Sequence, residues 1–382
     1  MLTLAELLHP ITPDRFMADY HDRKPLHIPA DAHSTKARIF DWDRLNGLLA
    51  QSAIWTAANL KLVRDGAPIP PDQYCTRTRI PGGEVLRPAP ARVDVFLSTG
   101  ASLIADDIQT LTPELAALAH MLARTFGAAV GANAYASFGG IQAFGTHYDL
   151  HDVFAVHISG EKTWQLYQNR ADTPVTMPGN GGDPRPYYQQ TRGPLMQSVR
   201  MRPGDVLYLP RGWYHDALAD GPVDGGNASL HVTFSVAALY GRIIFGLLEA
   251  AAMQDPAFRT YMPPAHDGDG IALQRHLADL GQRLAALAAS PGFLDTIAGK
   301  QAELVPRLPA YGLPGRKPLT LLRSTGGPPP AASGPLAEAL QWAFSQPTFA
   351  LEDLCAEFDT VDEATLRAAL AAAEADGTLK RV

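Results

Sequence analysis

The sequence of 382 residues contains little cysteine, little excess charge and no long uninterrupted apolar run. Only Cys75 and Cys355 are present, which excludes a disulfide-bonded scaffold and a four-cysteine zinc ribbon. The net charge of −7 excludes a protein held on nucleic acid by overall positive charge. The most apolar long stretch, residues 229–253, is interrupted by a histidine and two charged residues, so no membrane-spanning helix is expected.

The N-terminal residues give no sign of a targeting segment. They lack a basic cluster, and Glu6 interrupts the first apolar run, so no signal peptide and a soluble cytoplasmic protein are expected. Hydrophobic residues make up 46% and charged residues 19% of the chain, which is an ordinary globular composition. At roughly 150 residues per domain, the length indicates two or three domains.

The first half of the chain changes from mixed to β-rich patterning. Thr112-Pro113-Glu114 predicts a helix start, with Thr112 as the N-cap, and Gly127 suits the position after the last turn. Residues 130–237 then alternate short β-rich runs with Gly/Pro turns. Many short strands with tight turns predict an antiparallel double sheet or a barrel.

The second half of the chain is predicted to be helical and to end in a small module. The proline-rich stretch 306–336 indicates a linker. After it, the segment 360–363 (Thr-Val-Asp-Glu) is interpreted as a capping box that starts a helix, and a short final strand follows, which suggests a winged-helix-like module. The predicted domains are a β-core domain with an N-terminal extension of helices and strands at 1–238, an all-α region at 239–305, the linker at 306–336 and the winged-helix-like module at 337–382.

The helices of residues 239–304 carry apolar faces that must be covered. Phe245, Leu248 and Ala252 lie at helical spacing. A second stripe repeats in steps of four and three: Leu273, Leu277, Leu280, Leu284 and Leu287. These faces either cap the β core or form a two-fold dimer. We prefer a homodimer, in which the all-α region is the dimerisation region.

A possible metal site begins at His147 and Asp149. In a strand, residues two apart point to the same face, and one imidazole beside one carboxylate is two thirds of the two-His-one-carboxylate site of non-haem Fe(II) oxygenases. At this composition such a pair arises about once by chance, so alone it favours a hydrogen-bonded strand pair. The segment 201–215 supplies a third ligand, because a strand, a Pro-Gly-Asp turn and a second strand, interpreted as a hairpin, deliver His215 to an inner sheet face.

The segments around these residues resemble a known family. The motif GTHYDLHDVFAVHISGEKTWQLY at 145–167, preceded by Asn133-Ala-Tyr135 and followed by GDVLYLPRGWYH at 204–215, is similar to the JmjC-type cupin oxygenases. Within that family the sequence is most similar to the ribosomal oxygenase group, which Lys24-Pro25-Leu26 and the order of parts also match. The resemblance therefore spans nearly the whole chain.

The resemblance implies a mainly β core of the double-stranded β-helix type, a jelly roll or cupin, with flanking helices. It also implies a cofactor, a cosubstrate and a reaction. It implies Fe(II) bound by His147, Asp149 and His215, with 2-oxoglutarate as cosubstrate and hydroxylation of a protein side chain. It places Lys162 at the distal carboxylate of 2-oxoglutarate, with Tyr135 as a second contact and Asn133 as a weaker candidate. Without the resemblance, Lys162 would be interpreted as a solvated turn lysine.

Two further histidines, His157 and His231, each have two possible environments. His157 stands where these proteins usually carry glutamine; it is either a core histidine or a fourth polar group near the site. His231 faces either the pocket or the core. His151, next to Asp152, is expected to be exposed.

The predicted function is hydroxylation of a protein, with a ribosomal protein (an Arg or His residue) as the expected substrate. The alternatives are the same chemistry on a peptide or small natural product, and a non-catalytic metal-binding cupin that acts as a scaffold. Residues 338–382 carry nine acidic and three basic residues, whereas a DNA-reading module should be basic. No direct DNA binding is therefore expected.

Overall fold

The computed structural model describes residues 2–382 apart from 65, 139–144, 180–181, 220–227, 267, 307, 309–314 and 316–317. The described chain divides into two compact units, Met1–Ala238 and Leu239–Val382. The first unit contains the predicted site residues and most of the strands. No helix among the described residues combines the length and the hydropathy needed to cross a bilayer.

The helices and strands are numbered in chain order. The α-helices are α1 Leu4–Leu8, α2 Pro13–Asp19, α3 Trp42–Leu49, α4 Pro71–Tyr74, α5 Pro90–Ser98, α6 Pro113–Phe126, α7 Arg185–Thr191, α8 Ile243–Ala252, α9 Ile271–Ala288, α10 Pro291–Ala302, α11 Gly334–Ser345, α12 Leu351–Glu357 and α13 Glu363–Ala375. The strands are β1 Leu26–Ile28, β2 Leu60–Arg64, β3 Ala67–Pro68, β4 Cys75–Ile80, β5 Gly83–Pro88, β6 Ser102–Ala105, β7 Ala128–Phe138, β8 Asp152–Ser159, β9 Lys162–Arg170, β10 Leu195–Met201, β11 Val206–Leu209, β12 Trp213–Ala219, β13 Ala228–Ala238, β14 Leu321–Ser324, β15 Thr348–Ala350 and β16 Leu379–Arg381.

Two antiparallel sheets form the β core of the first unit. The larger has eight strands in the order β1-β11-β8-β13-β7-β6-β2-β3, and the smaller has three in the order β10-β9-β12. Side chains from both sheets share one buried cluster, including Val153 and Leu207 from the larger sheet and Trp164 and Val199 from the smaller. The predicted β core with flanking helices is confirmed, and its two sheets face each other across this cluster.

The chain alternates between the two sheets, and this corrects the predicted hairpin over residues 201–215. Strand β10 pairs with β9, whereas β11 pairs with β1 and β8. Residues 201–215 are therefore not a hairpin, because the Pro-Gly-Asp turn carries the chain from one sheet to the other. The turn at Gly160 likewise connects β8 to β9 in the opposite sheet. Gly160 has φ +68°, and a Cβ there would lie 2.1 Å from the carbonyl oxygen of Ala228, so this crossing requires glycine.

Helix α6 packs beside the larger sheet and forms as the sequence predicts. The Thr112 hydroxyl accepts a hydrogen bond from the backbone N–H of Leu115, and Gly127 ends the helix in the left-handed conformation. Its buried face, which includes Leu115, Leu118 and Leu122, covers the side of the sheet that faces away from the smaller sheet. The site is thus left on the inner face.

The second unit contains the helices α8 to α10 and a small three-stranded module. Its sheet has the order β15-β14-β16, and Leu322 of β14 is buried in the same cluster as Leu340 and Leu366. The predicted linker over 306–336 thus includes a strand that belongs to the module. Helix α13 begins at Glu363, because Asp362 is the N-cap and accepts from the backbone N–H of Thr365. The predicted capping box from Thr360 is therefore wrong; both residue types suit an N-cap, and the one adjacent to the helix takes the position.

Candidate metal and cosubstrate site

A cavity of about 320 Å³ lies between the two sheets of the first unit. Strands β7, β8 and β13 line it on one side, and β9 and β12 on the other. All six predicted site residues border it. The lining residues are Asn133, Tyr135, His147, Asp149, His151, Val153, Lys162, Trp164, His215, Ala217, His231, Thr233 and Ser235.

The two predicted histidine ligands face each other across one pair of backbone hydrogen bonds. The N–H of His147 donates to the carbonyl of His215 at 3.0 Å, and the N–H of His215 donates back at 2.9 Å. This bridge is isolated, and Asp149 precedes β8 rather than lying in a strand. The strand argument for His147 and Asp149 is therefore wrong in its premise, although both side chains do reach the same cavity.

The hydrogen bonds of both imidazoles place the proton on the same ring nitrogen, Nδ1. Nδ1 of His147 lies 2.9 Å from the carbonyl of Gly145, and Nδ1 of His215 lies 2.9 Å from the carbonyl of Trp213. Because a carbonyl only accepts, each Nδ1 must carry the proton, and the lone pair is then on Nε2. A backbone carbonyl on the far nitrogen is the usual arrangement of a metal-ligating histidine.

Asp149 completes the donor set. One ligand atom from each of His147, Asp149 and His215 lies within 4.8 Å of the others, and the carboxylate oxygen is 3.5 Å from Nε2 of His215. Burial raises the pKa of Asp149, but the neighbouring histidines lower it more, so the pKa is below its usual value. Burial lowers the pKa of His215 to about 4. A neutral imidazole and an ionised carboxylate are the forms that bind a metal, so this set fits Fe(II).

Lys162 lies inside the protein rather than on a solvated turn. Its side chain is 2% exposed, and its Nζ donates to the hydroxyl of Ser137 at 3.3 Å. Burial lowers its pKa to about 8. Among the described residues no carboxylate pairs with this ammonium, and burial is the cause of its lowered pKa, so a bound anion at this end of the cavity would be favourable. By contrast, Arg200 and Arg202 pair with Glu161 at the surface.

Tyr135 and Asn133 lie on the cavity wall formed by β7. The ring of Tyr135 stacks on His231 with centroids 4.8 Å apart and planes within 6°. Burial raises the pKa of Tyr135 to about 12, against the opposing effect of a hydrogen bond with Asn133, so its hydroxyl keeps its proton at neutral pH. The Asn133 side chain also accepts from the backbone N–H of Asp107 at 3.1 Å.

His231 and His157 form a row with Tyr135 across three neighbouring strands. His231 pairs in register with Tyr135 of β7 and with His157 of β8. His231 lines the cavity, whereas His157 is fully buried with Nε2 3.0 Å from the carbonyl of Gly160. Burial lowers the pKa of His157 to about 4 and that of His231 well below its usual value, and the charge of Lys162 lowers both further. Both imidazoles are thus neutral beside the buried lysine.

Two neighbours of the site, Trp164 and Ser137, were not singled out from the sequence, and the environment of a third, His151, was predicted wrongly. The Trp164 ring stacks on His215 with centroids 5.7 Å apart, and Ser137 holds Lys162. His151 borders the cavity and is half-buried, so the expectation that it is exposed is wrong. The alternation of β9 places Trp164 on the same face as Lys162, which was a readable signal. Ser137 gave none, because a lone serine has no pattern.

Comparison with known proteins agrees with this fold and donor set. Residues 107–240 match the family model of the JmjC domain, which agrees with the motifs of the sequence. The chain is 30% identical over 234 residues to the "bifunctional lysine-specific demethylase and histidyl-hydroxylase NO66" of Aedes aegypti. It is 26% identical over 265 residues to "ribosomal oxygenase 1" of Danio rerio.

These matches cover limited parts of the relatives. The alignments span 61% and 67% of this chain, but only 34% of the mosquito protein and 45% of the zebrafish protein. The crystal structure of Escherichia coli ribosomal oxygenase YcfD shares the fold over 97% of this chain and 98% of that one, with a TM-score of 0.51 and 17% identity. The same bacterial protein has been solved in complex with cobalt and 2-oxoglutarate.

Proposed function

We propose that this protein is an Fe(II)- and 2-oxoglutarate-dependent oxygenase that hydroxylates a side chain of a protein substrate. The observation that carries the proposal is one cavity that combines two kinds of site. His147, Asp149 and His215 converge at one place, and the buried Lys162, which has no carboxylate partner among the described residues, borders the same space. A small molecule that chelates a metal at one end and carries a negative charge at the other would fit the ligand set and the lysine at once.

The chain's own residues bind and orient, and the bound group supplies the oxygen chemistry. When bound, Fe(II) with 2-oxoglutarate and O₂ provides the oxidising power that no side chain of the cavity has. His147, Asp149 and His215 would hold the metal through two nitrogens and one oxygen, and this set leaves coordination positions open. Lys162 would pair with the distal carboxylate, with the protonated hydroxyl of Tyr135 and the amide of Asn133 on the adjacent wall.

The buried lysine argues against a non-catalytic cupin. An ammonium out of water costs several kcal/mol unless an anion compensates it, and a scaffold that only binds metal has no need of it. The presence of Lys162 beside the three metal-binding side chains therefore favours a cavity that binds a dicarboxylate. A 2-oxoglutarate oxygenase has that requirement.

The names of the relatives support a protein substrate. A ribosomal oxygenase and a histidyl-hydroxylase are among the proteins that this chain resembles, and a bacterial ribosomal oxygenase shares its fold. We propose a ribosomal protein as the substrate, with an arginine or histidine side chain as the hydroxylated group. A peptide or a small natural product remains the competing substrate class.

The second unit is proposed to support assembly rather than DNA binding. Helix α9 contains no buried residue along its 18 residues, and Phe245 of α8 is 76% exposed. Apolar faces of this kind favour cover by a second copy of the chain, so we propose a homodimer through α8 to α10. The winged-helix-like assignment of the C-terminal module is also a proposal, and its acidic charge favours protein contacts over DNA.

The test of the function is turnover of 2-oxoglutarate by the purified full chain. Succinate formation is measured with Fe(II), with and without ribosomal proteins, and the proteins are then searched by mass spectrometry for peptides heavier by one oxygen, about 16 Da. We expect ribosomal protein to stimulate succinate formation and to gain the oxygen, and Asp149→Ala to do neither. Wild-type protein that consumes no 2-oxoglutarate under any of these conditions would contradict the proposal.

A further inference from the structure

The two metal-binding histidines lie on a short two-stranded ladder whose outer face has its own side-chain pairs. Because His147 and His215 bridge in antiparallel fashion, Thr146 lies opposite Asp216, and Tyr148 lies opposite Tyr214. Neighbouring side chains alternate between faces, so these two pairs point away from the cavity. All four residues are buried.

The polar pair, Thr146 and Asp216, belongs to a closed ring of four hydrogen bonds. The Thr146 hydroxyl donates to Oδ2 of Asp216 at 2.8 Å, and the Tyr167 hydroxyl donates to the same oxygen at 2.6 Å. Nη1 of Arg192 donates to both hydroxyls, at 2.9 Å and 2.5 Å, and its guanidinium lies 4.3 Å from the Tyr167 ring centroid. Each hydroxyl is thus polarised between a cation and a carboxylate, which strengthens every bond of the ring.

The aromatic pair, Tyr148 and Tyr214, packs against helix α7, which Arg192 follows directly. The Tyr188 ring of α7 packs edge-on against Tyr148 and Tyr214, with centroids 5.3 Å and 6.2 Å apart. The hydroxyls of Thr191 and Tyr214 lie 2.6 Å from each other. Consecutive residues of one short segment therefore contact both sides of the His147–His215 bridge.

We propose that α7 together with Arg192, hereafter the clamp, fixes the separation and orientation of the two metal-binding histidines from behind. Thr146, Asp216, Tyr167 and Arg192 are positioning residues, since none of them is among the residues that line the cavity. Two kinds of backbone contact join the segments of His147 and His215: the bridge itself, and a hydrogen bond from the N–H of Gly212 to the carbonyl of Asp149 at 2.9 Å. So short a ladder alone holds two segments loosely. The clamp supplies the missing constraint. This inference rests on the proposed metal site.

The test is the affinity of the metal-free full chain for Co(II) alone, followed by visible absorption. Tyr167→Phe removes one hydroxyl of the ring and keeps the ring packing, and Asp216→Asn removes the charge that both hydroxyls contact. Loss of residues that orient metal ligands typically costs 10–100-fold in metal affinity. We expect the Kd for Co(II) to rise by about tenfold in Tyr167→Phe and by up to about 100-fold in Asp216→Asn, with an altered absorption envelope. Thr146→Ser retains the hydroxyl and should bind as the wild type does.

Tyr74→Phe is the matched control for a general loss of stability. Tyr74 is also a buried tyrosine, and its hydroxyl donates to the backbone carbonyl of Leu60 at 3.1 Å, away from the metal site. Its Co(II) affinity should equal that of the wild type. Unchanged affinity in Tyr167→Phe and Asp216→Asn, or an equal loss in Tyr74→Phe, would overturn the clamp. Wild-type protein that binds no Co(II) would instead overturn the metal site. Should Asp216→Asn fail to fold, Tyr167→Phe decides.

Discussion

Substitution of Lys162 by alanine tests the anchor of the proposed cosubstrate. The substitution removes a cation that borders the cavity, a side chain that is 2% exposed and donates a hydrogen bond to Ser137. It removes no metal ligand and leaves the backbone pairing of β9 with β10 and β12 in place. The change should therefore weaken binding of 2-oxoglutarate and leave metal affinity unchanged.

The size of the effect follows from the burial of the charge pair. Removing one partner of a buried, hydrogen-bonded charge pair costs about 2–5 kcal/mol, largely because the other charge stays buried and unpaired. Since about 1.4 kcal/mol is a factor of ten, the KM for 2-oxoglutarate should rise at least about tenfold in Lys162→Ala. Lys162→Arg retains the charge with a different geometry, so it should recover part of the affinity.

The pH dependence of the KM separates a charge effect from a packing effect. Burial lowers the pKa of Lys162 to about 8, so the free enzyme loses this charge as the pH rises through about 8, and the KM of the wild type should rise above that pH. His157, with a pKa of about 4, and Tyr135, with a pKa of about 12, do not titrate there, and the pKa of His231 is low as well. In Lys162→Arg the rise should disappear, because arginine stays protonated.

The assay is succinate formation at varied 2-oxoglutarate between pH 6.5 and 9.5, with Co(II) titration as the check on metal affinity. An unchanged KM in Lys162→Ala would show that the anchor lies elsewhere. Arg200 and Arg202 would then be tested next, although their pairing with Glu161 at the surface argues against them. A loss of metal affinity in the same variant would show that the cavity itself is disturbed.

Three further predictions follow from the ligand set and from the second unit. His215→Ala should abolish Fe(II) binding and turnover while circular dichroism shows an intact fold, because a β core of this size is stable without metal; wild-type activity would contradict the ligand assignment. Light scattering at micromolar concentration should give twice the mass of the 41.0 kDa chain, and a monomer would refute the dimer. In a mobility-shift assay the full chain should show no tight, salt-dependent binding to DNA, since residues 338–382 carry a net charge of −6; such binding would contradict the protein-contact role of the module.

Local patterns predicted the parts of the fold that depend on local interactions. The start of α6 at Thr112 and its end at Gly127 follow from capping chemistry that involves only neighbouring residues. The β core followed from short strands and tight turns. The pairing of those strands did not, because β8 and β9 are adjacent in sequence and belong to different sheets. A turn between two strands has the same composition whether it closes a hairpin or crosses a jelly roll.

Some residues of the site could likewise be predicted from local patterns, and others could not. His147, Asp149 and His215 were predictable because a metal needs particular donor types, and a family motif records their spacing. The residues of the clamp form no motif in the sequence. Arg192 lies 46 positions after Thr146 in the sequence, and only the folded chain brings them within 2.9 Å. Arginine, tyrosine and threonine at those positions are compatible with an ordinary exposed loop, so their role becomes visible only with the strand register.

The strand register also relates the two ends of the cavity to each other. On the paired strands β9 and β12, Lys162 lies opposite Ala219 and Leu166 lies opposite His215. The levels of the lysine and of the metal-binding histidine are thus four residues apart, about 13 Å along a strand. Within that interval the cavity must contain the metal, the end of the lysine side chain and the cosubstrate. A small dicarboxylate that chelates at one end and carries its second charge at the other matches this spacing, whereas a monocarboxylate would bring no negative charge to the buried Lys162.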